Sequence, residues 1–344
     1  MKVSYAFIVR VILLAISVVT LIRGLDASLS IPDQICYTDL KHTAHQVAGA
    51  GFYVTLESRE KEQNSDLGFI PVNKHIPSAD SVRLVEFPNS YSCPILEIDV
   101  FKLRQLTDGG SGVTVAVLDT GIDINHNDLF GKIVGEINLT NSVTVEDSHG
   151  HGTHIAGIIA AENSNGVIGI APGIRLLNVK VANDQGKCEL TALENGIIWA
   201  VREGAKVINV SIEMTDHSER LEKVINYAWE NGVLVIAAAG NNGDDSPVYP
   251  AYYENTIAVT ALGETSRLAP LANYGDWVDI VAPGFDVYST LPGNNYGYKT
   301  GTSFATAYVS GVAALLYNMV TDKNDNGSLS DEVKKAIETG NCRL

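Results

Sequence analysis

Residues 113–121 read VTVAVLDTG. A short, nearly continuous apolar run of this kind fits a β-strand covered on both faces. It ends in Asp119, an acid that is costly to bury without a partner. The same pattern recurs further along the chain. Residues 206–211 read KVINVS and residues 233–241 read VLVIAAAGN. Between and after these runs lie a further apolar run at 174–181 and helical patterns at 190–202 and about 218–230. Strands are also expected at 256–260 and 278–281. Helices are expected from about 153, over 302–319 with an apolar sequence, and over 331–338 with an amphipathic one. Strands that alternate with helices of this length give an α/β fold: a doubly wound, mostly parallel sheet with helices on both faces.

That fold gives the polar residues a place. Asp119, Ser211 and Asn241 each follow an apolar run, at the carboxyl end of an expected parallel strand, where open α/β sheets bind their ligands. His151 and Ser303 open helices. Ser303 lies in Gly301-Thr302-Ser303, and its hydroxyl is a weak nucleophile until a base removes its proton. A helix N-terminus there would turn its N–H groups towards the reacting oxygen. His151, in Gly150-His151-Gly152-Thr153-His154, is the candidate base, because imidazole titrates near neutrality. His149 and His154 compete with it; the first reads as exposed, the second as packed within the helix. A metal reading of these histidines lacks a carboxylate or cysteine at ligand spacing on the helix. Asp119 is the candidate for orienting the imidazole, and Asp123, past the turn, reads as solvated. Taken alone, Ser303 reads as a helix cap and Asn241 as a turn residue.

The segments Asp119-Thr120-Gly121, Gly150-His151-Gly152-Thr153-His154 and Gly301-Thr302-Ser303, in that order, resemble those of the subtilisin-like serine proteases. Residues 168–172 (IGIAP), 278–284 (VDIVAPG) and 288–298 (YSTLPGNNYGY) extend the resemblance over about 112–338. It implies a serine endopeptidase that works through an acyl-enzyme. Asp119, His151 and Ser303 would form the triad, with Asn241 as oxyanion donor. Substrate would lie against Ser211, Ile212 and Glu213, with Gly240 beside them. Glu213 stands where the family usually has Gly; with Asp244 and Asp245 it implies a taste for Lys or Arg before the scissile bond, or else a narrowed cleft and a slower enzyme. Ala307-Tyr308 and Asn127 replace family residues with little expected effect. No cofactor is implied for the chemistry. The family's frequent structural calcium finds partial echoes in Asp128 and residues 163–166, too few to assign ligands. Residues 322–327 (DKNDNG) begin like a calcium loop, but Val333 occupies the position that needs a bidentate Glu. They read as a turn before a helix capped by Ser330.

The remaining sequence sets the context. Lys2 and Arg10 precede the apolar run 11–22, which is short for a membrane span of ~20 residues. Residues 1–27 therefore read as a secretory signal, with an uncleaved anchor as the alternative, and imply a secreted protein with no stable membrane insertion after cleavage. Residues 28–90 form a small α+β module with strand-like runs at 51–57 and 81–87. It occupies the place of the family's propeptide, an intramolecular inhibitor, ahead of a peptidase domain at 91–344. The maturation cut is expected at 87–91. The chain has 344 residues, 45% of them hydrophobic, enough for a large core, and a formal charge of −16. That charge argues against nucleic acid as a partner, since a backbone-binding surface needs clustered Lys and Arg. Protein or peptide substrates fit. The four cysteines, Cys36, Cys93, Cys188 and Cys342, lack metal spacing and read as structural or disulfide-bonded.

Overall fold

The computed structural model describes residues 41–46, 52–57, 99–162, 166–263 and 267–339. The leader, the run at 81–87, the maturation stretch and three cysteines (Cys36, Cys93 and Cys342) lie outside these residues, as does 163–165 of the calcium-like loop. The chain divides into two compact units, Met1–Ile70 and Pro71–Leu344. In the first, β1 (Lys41–Gln46) pairs antiparallel with β2 (Phe52–Glu57).

The second unit opens with α1 (Val100–Leu106), whose first turn is capped by Asp99 accepting from the Lys102 N–H at 2.9 Å. Its sheet has seven strands, β3 (Thr114–Asp119), β4 (Ile133–Asn138), β5 (Arg175–Lys180), β6 (Val207–Val210), β7 (Leu234–Ala238), β8 (Thr256–Leu262) and β9 (Ile280–Pro283). The order across the sheet is β4-β5-β3-β6-β7-β8-β9, and every neighbouring pair is parallel. From β3 the chain first builds outward to one side, through β4 and β5, and then crosses to build β6 to β9 on the other. The carboxyl ends of β3 and β6 therefore flank the switch point, the natural crevice of an open α/β sheet.

Alternate residues of each strand feed two separate cores, as the two-residue period of a strand requires. Val115 and Val117 face α2 (His151–Ala160) and α5 (Thr302–Leu316). Ala116 and Leu118 face α3 (Leu190–Arg202) and α4 (Glu219–Glu230). Each buried Val or Leu contributes about 1.5–3 kcal/mol relative to exposure. All fifteen residues of α5 are buried, which explains why its sequence is apolar on every side.

The sheet, its parallel strands and the helices on both faces agree with the expected class. Several details differ. The edge strand β4 and the antiparallel hairpin of β10 (Val287–Leu291) and β11 (Asn295–Lys299) were not anticipated. The helix α5 ends at Leu316 rather than 319. In α6 (Ser330–Glu338), Ser330 is the first helical residue, not the cap; Leu329 holds the cap position and offers no side-chain bond. Ser328 does the capping work instead, its Oγ accepting the Ser330 N–H at 3.2 Å. Among the described residues Cys188 is a free, partly buried thiol. Among the described residues no helix is long and apolar enough to cross a membrane.

Candidate active site

Asp119 closes β3 and is 2% exposed. Its Oδ1 accepts from the Thr120 N–H at 2.8 Å and from His151 Nδ1 at 2.7 Å. The carboxylate thus places the imidazole proton on Nδ1 and leaves Nε2 as the basic nitrogen. Asp119 Oδ2 is buried with no hydrogen-bond partner among the described residues. Burial pushes the His151 imidazole down, but the charge and hydrogen bond of Asp119 outweigh it, so the ring sits above its ordinary value. The approach of α2 to β3 needs a glycine. A Cβ on Gly152 would stand 2.1 Å from the Gly121 carbonyl oxygen and 3.1 Å from Asp119 Cβ.

Two buried charges that sequence reading passed over hold this geometry. Asp147 Oδ1 accepts from the His149 and Gly150 N–H groups and from Thr120 Oγ1, at 3.0, 2.8 and 2.8 Å. Its Oδ2 accepts from the Thr153 N–H and Oγ1, at 2.8 and 2.7 Å. Thr120 Oγ1 in turn accepts the Gly152 N–H at 3.0 Å. One carboxylate therefore caps α2, whose first residue is His151, and ties it to the residue after Asp119. The signal for it was an acid four positions before the histidine, the kind of residue that marks a helix start. Lys180, fully buried, donates to the carbonyls of Thr120 and Glu146 and pairs with Asp184 at 2.9 Å. No local pattern announced that role.

Ser303 is the second residue of α5 and is 7% exposed. The aromatic ring of Phe304, the next residue, packs against His151 with centroids 5.6 Å apart and against His154 at 4.8 Å, so the starts of α2 and α5 meet. A polar chain fixes α5 to β6. Ser310 Oγ donates to Asn209, Asn209 Nδ2 donates to Ser211 Oγ, and Ser211 Oγ donates to the Ser303 carbonyl, at 3.1, 3.0 and 3.2 Å. Asn241 lies beyond β7. Its Oδ1 accepts from the Thr302 N–H at 2.9 Å and from Thr302 Oγ1 at 3.2 Å, which commits the carbonyl side of the amide to the helix and turns its NH2 the other way. Gly240 has φ +99°, and a Cβ there would stand 2.8 Å from Glu213 Oε2. The Glu213 carboxyl accepts the Asn241 N–H, yet desolvation, aided by Asp244, holds it above the usual carboxylate range.

The structure thus gathers Asp119, His151, Ser303, Asn241, Ser211, Glu213 and Gly240 at the strand ends, while Ile212 packs partly into the core of the α3 and α4 face. The competitors go elsewhere. Asp123 accepts the Gly293 N–H at 2.8 Å, and His149 is exposed. His154 is buried against the Gly297 carbonyl at 3.1 Å, and its imidazole is pushed down to about 4 by burial.

This fold with this site defines a serine peptidase in class. Residues 110–339 match the model of the subtilase family, and the chain belongs to that family. It is 45% identical over 236 residues to a thermophilic serine proteinase of Bacillus sp. strain AK1, covering 68% of this chain and 57% of that one. It is 43% identical over 232 residues to thermitase of Thermoactinomyces vulgaris, covering 67% and 81%. Against subtilisin BL of Lederbergia lenta it is 46% identical over 209 residues, covering 60% and 77%.

Proposed function

We propose that this chain is a secreted serine endopeptidase, made as a self-processing zymogen, that hydrolyses peptide bonds in proteins or peptides through an acyl-enzyme. The observation that carries the reading is the Asp119–His151 hydrogen bond of 2.7 Å at the end of β3, beside the helix start that bears Ser303. In this reading Ser303 Oγ attacks the substrate carbonyl carbon while His151 Nε2 takes its proton. The carbonyl oxygen becomes an oxyanion, held by the Asn241 side-chain amide and the Ser303 N–H at the α5 terminus. His151, now a cation against the buried Asp119 carboxylate, gives its proton to the leaving amine. Water repeats the sequence on the ester and releases the acid.

The other readings rest on sequence. Residues 1–27 would direct export and be removed, and residues 28–90 would act as an internal inhibitor until cleaved at 87–91. Ser211 to Glu213 and Gly240 would hold substrate as an extended strand. The chemistry would run without a cofactor, and a structural calcium ion would affect stability only.

Mass spectrometry of the purified product tests the central reading. The full chain should lose its first ~90 residues, counted from the module boundary read by composition, and Ser303→Ala should keep them. Equal processing of both forms would contradict self-cleavage.

A further inference from the structure

Two charged side chains lie at the site, Glu213 beside Gly240 and Asn241 and Lys299 beside the residue before His151, and among the described residues neither has an ionic partner. Glu213, solvent-exposed beyond β6, presents its carboxylate to Gly240 and the Asn241 N–H. Among the described residues no Lys, Arg or His pairs with it. Asp244, in the loop after Asn241, adds a second negative charge to the same side. Lys299, the last residue of β11, donates from Nζ to the carbonyl of Gly150 at 3.0 Å, one residue before His151. No carboxylate of the described residues forms an ion pair with it either. Asp147 and Asp119 lie near enough for their charges to be felt, but the Asp147 oxygens are committed to the start of α2.

The chemistry orients a substrate between these charges. The attacked carbonyl must lie at Asn241, and the departing nitrogen must lie at His151, which protonates it. The residue that supplies the carbonyl therefore sits on the Glu213 side, and the residue that supplies the nitrogen sits on the Lys299 side. We propose that the cleft is electrically polar along the substrate and prefers bonds that follow Lys or Arg and precede Asp or Glu. This rests on the peptidase reading and names its substrate class. The charges act on a solvent-accessible cleft, so each contributes about a two- to fivefold preference, the scale of an exposed ion pair rather than a buried one.

The test uses protein purified from the full chain and five peptides that differ only at the two residues around one bond: Arg–Glu, Arg–Leu, Leu–Glu, Leu–Leu and Glu–Arg. Cleavage is located by mass spectrometry and kcat/KM is measured for each. Arg–Glu should be cut fastest and Glu–Arg slowest, with Arg over Leu and Glu over Leu each by about two- to fivefold. Glu213→Gln should bring the Arg-to-Leu ratio towards one and leave the Glu-to-Leu ratio standing; Lys299→Met should do the reverse. These are ratios, so a general loss of rate in a variant does not hide them. In the unmodified protein both should shrink as salt is added. A ratio near one at either position, or one that survives its variant or is unmoved by salt, overturns the proposal. Cleavage of Leu–Leu as fast as Arg–Glu overturns it and leaves the peptidase reading intact. No cleavage of any peptide, together with no labelling by a fluorophosphonate, overturns both.

Discussion

At the scale of single residues, Asp119 controls how His151 titrates. One of its oxygens holds the imidazole and the other is buried without a partner among the described residues, so the cation formed during the reaction meets a charge that little else satisfies. A ring held above its ordinary value must lose its proton before it can act as base. Activity should therefore fall as pH drops through that raised value. Asp119→Asn removes the charge and the hydrogen bond to that charge, the two largest contributions that raise it, so the acid limb of kcat/KM against pH should move to lower pH while kcat falls roughly 10⁴-fold. An acid limb that stays in place would mean that another group sets it. Asn241→Ala should lower kcat by about 100- to 1,000-fold with KM little changed, read from steady-state kinetics on one peptide. These residues were legible in the sequence because glycines bracket them and because each follows an apolar run or opens a helix. Their spacing across the fold was not, since nothing local says that residues 119 and 151 lie 2.7 Å apart.

At the scale of elements, the start of α2 is the sensitive joint. Asp147 accepts five hydrogen bonds there, and its loss would leave several donors without partners. Asp147→Ala should cost about 1–3 kcal/mol or more in stability, from the denaturant midpoint, and should also lower kcat, because His151 is the helix's first residue. A stability loss with unchanged kcat would separate the cap from the catalytic geometry. The helices α3 and α4 were readable almost to their ends, with Ser218 capping α4 by accepting the Leu221 N–H at 3.2 Å. The strand β4 escaped notice because it is an edge strand with a partly exposed pattern and a register shift between Ile133 and Gly135. The β10–β11 hairpin was hidden because its strands, VYSTL and NYGYK, carry no continuous apolar run. Lys180 was invisible for a different reason. Its carbonyl partner at Thr120 is 60 positions away, and only the parallel pairing of β3 with β5 brings them together.

At the scale of the whole molecule, one sheet divides two cores, and the site lies along the edge where strand order reverses. The strength of that frame should show in the core rather than at the surface. Leu118, fully buried on the α3 and α4 side, should cost about 2–5 kcal/mol when changed to Ala, measured by urea unfolding in the Ser303→Ala background so that self-digestion does not intrude. The alternation of strand and helix sufficed to read this frame, because a parallel sheet imposes it on the sequence. The convergence of distant segments on one edge follows from that frame, and the central claim is that it makes Ser303 a nucleophile. The direct measurement is reaction with a fluorophosphonate followed by peptide mapping. A single adduct on Ser303, absent in Ser303→Ala and formed far more slowly in Asp119→Asn, is the expected result. An adduct on another residue, or an Asp119→Asn rate equal to that of the unmodified protein, would contradict it.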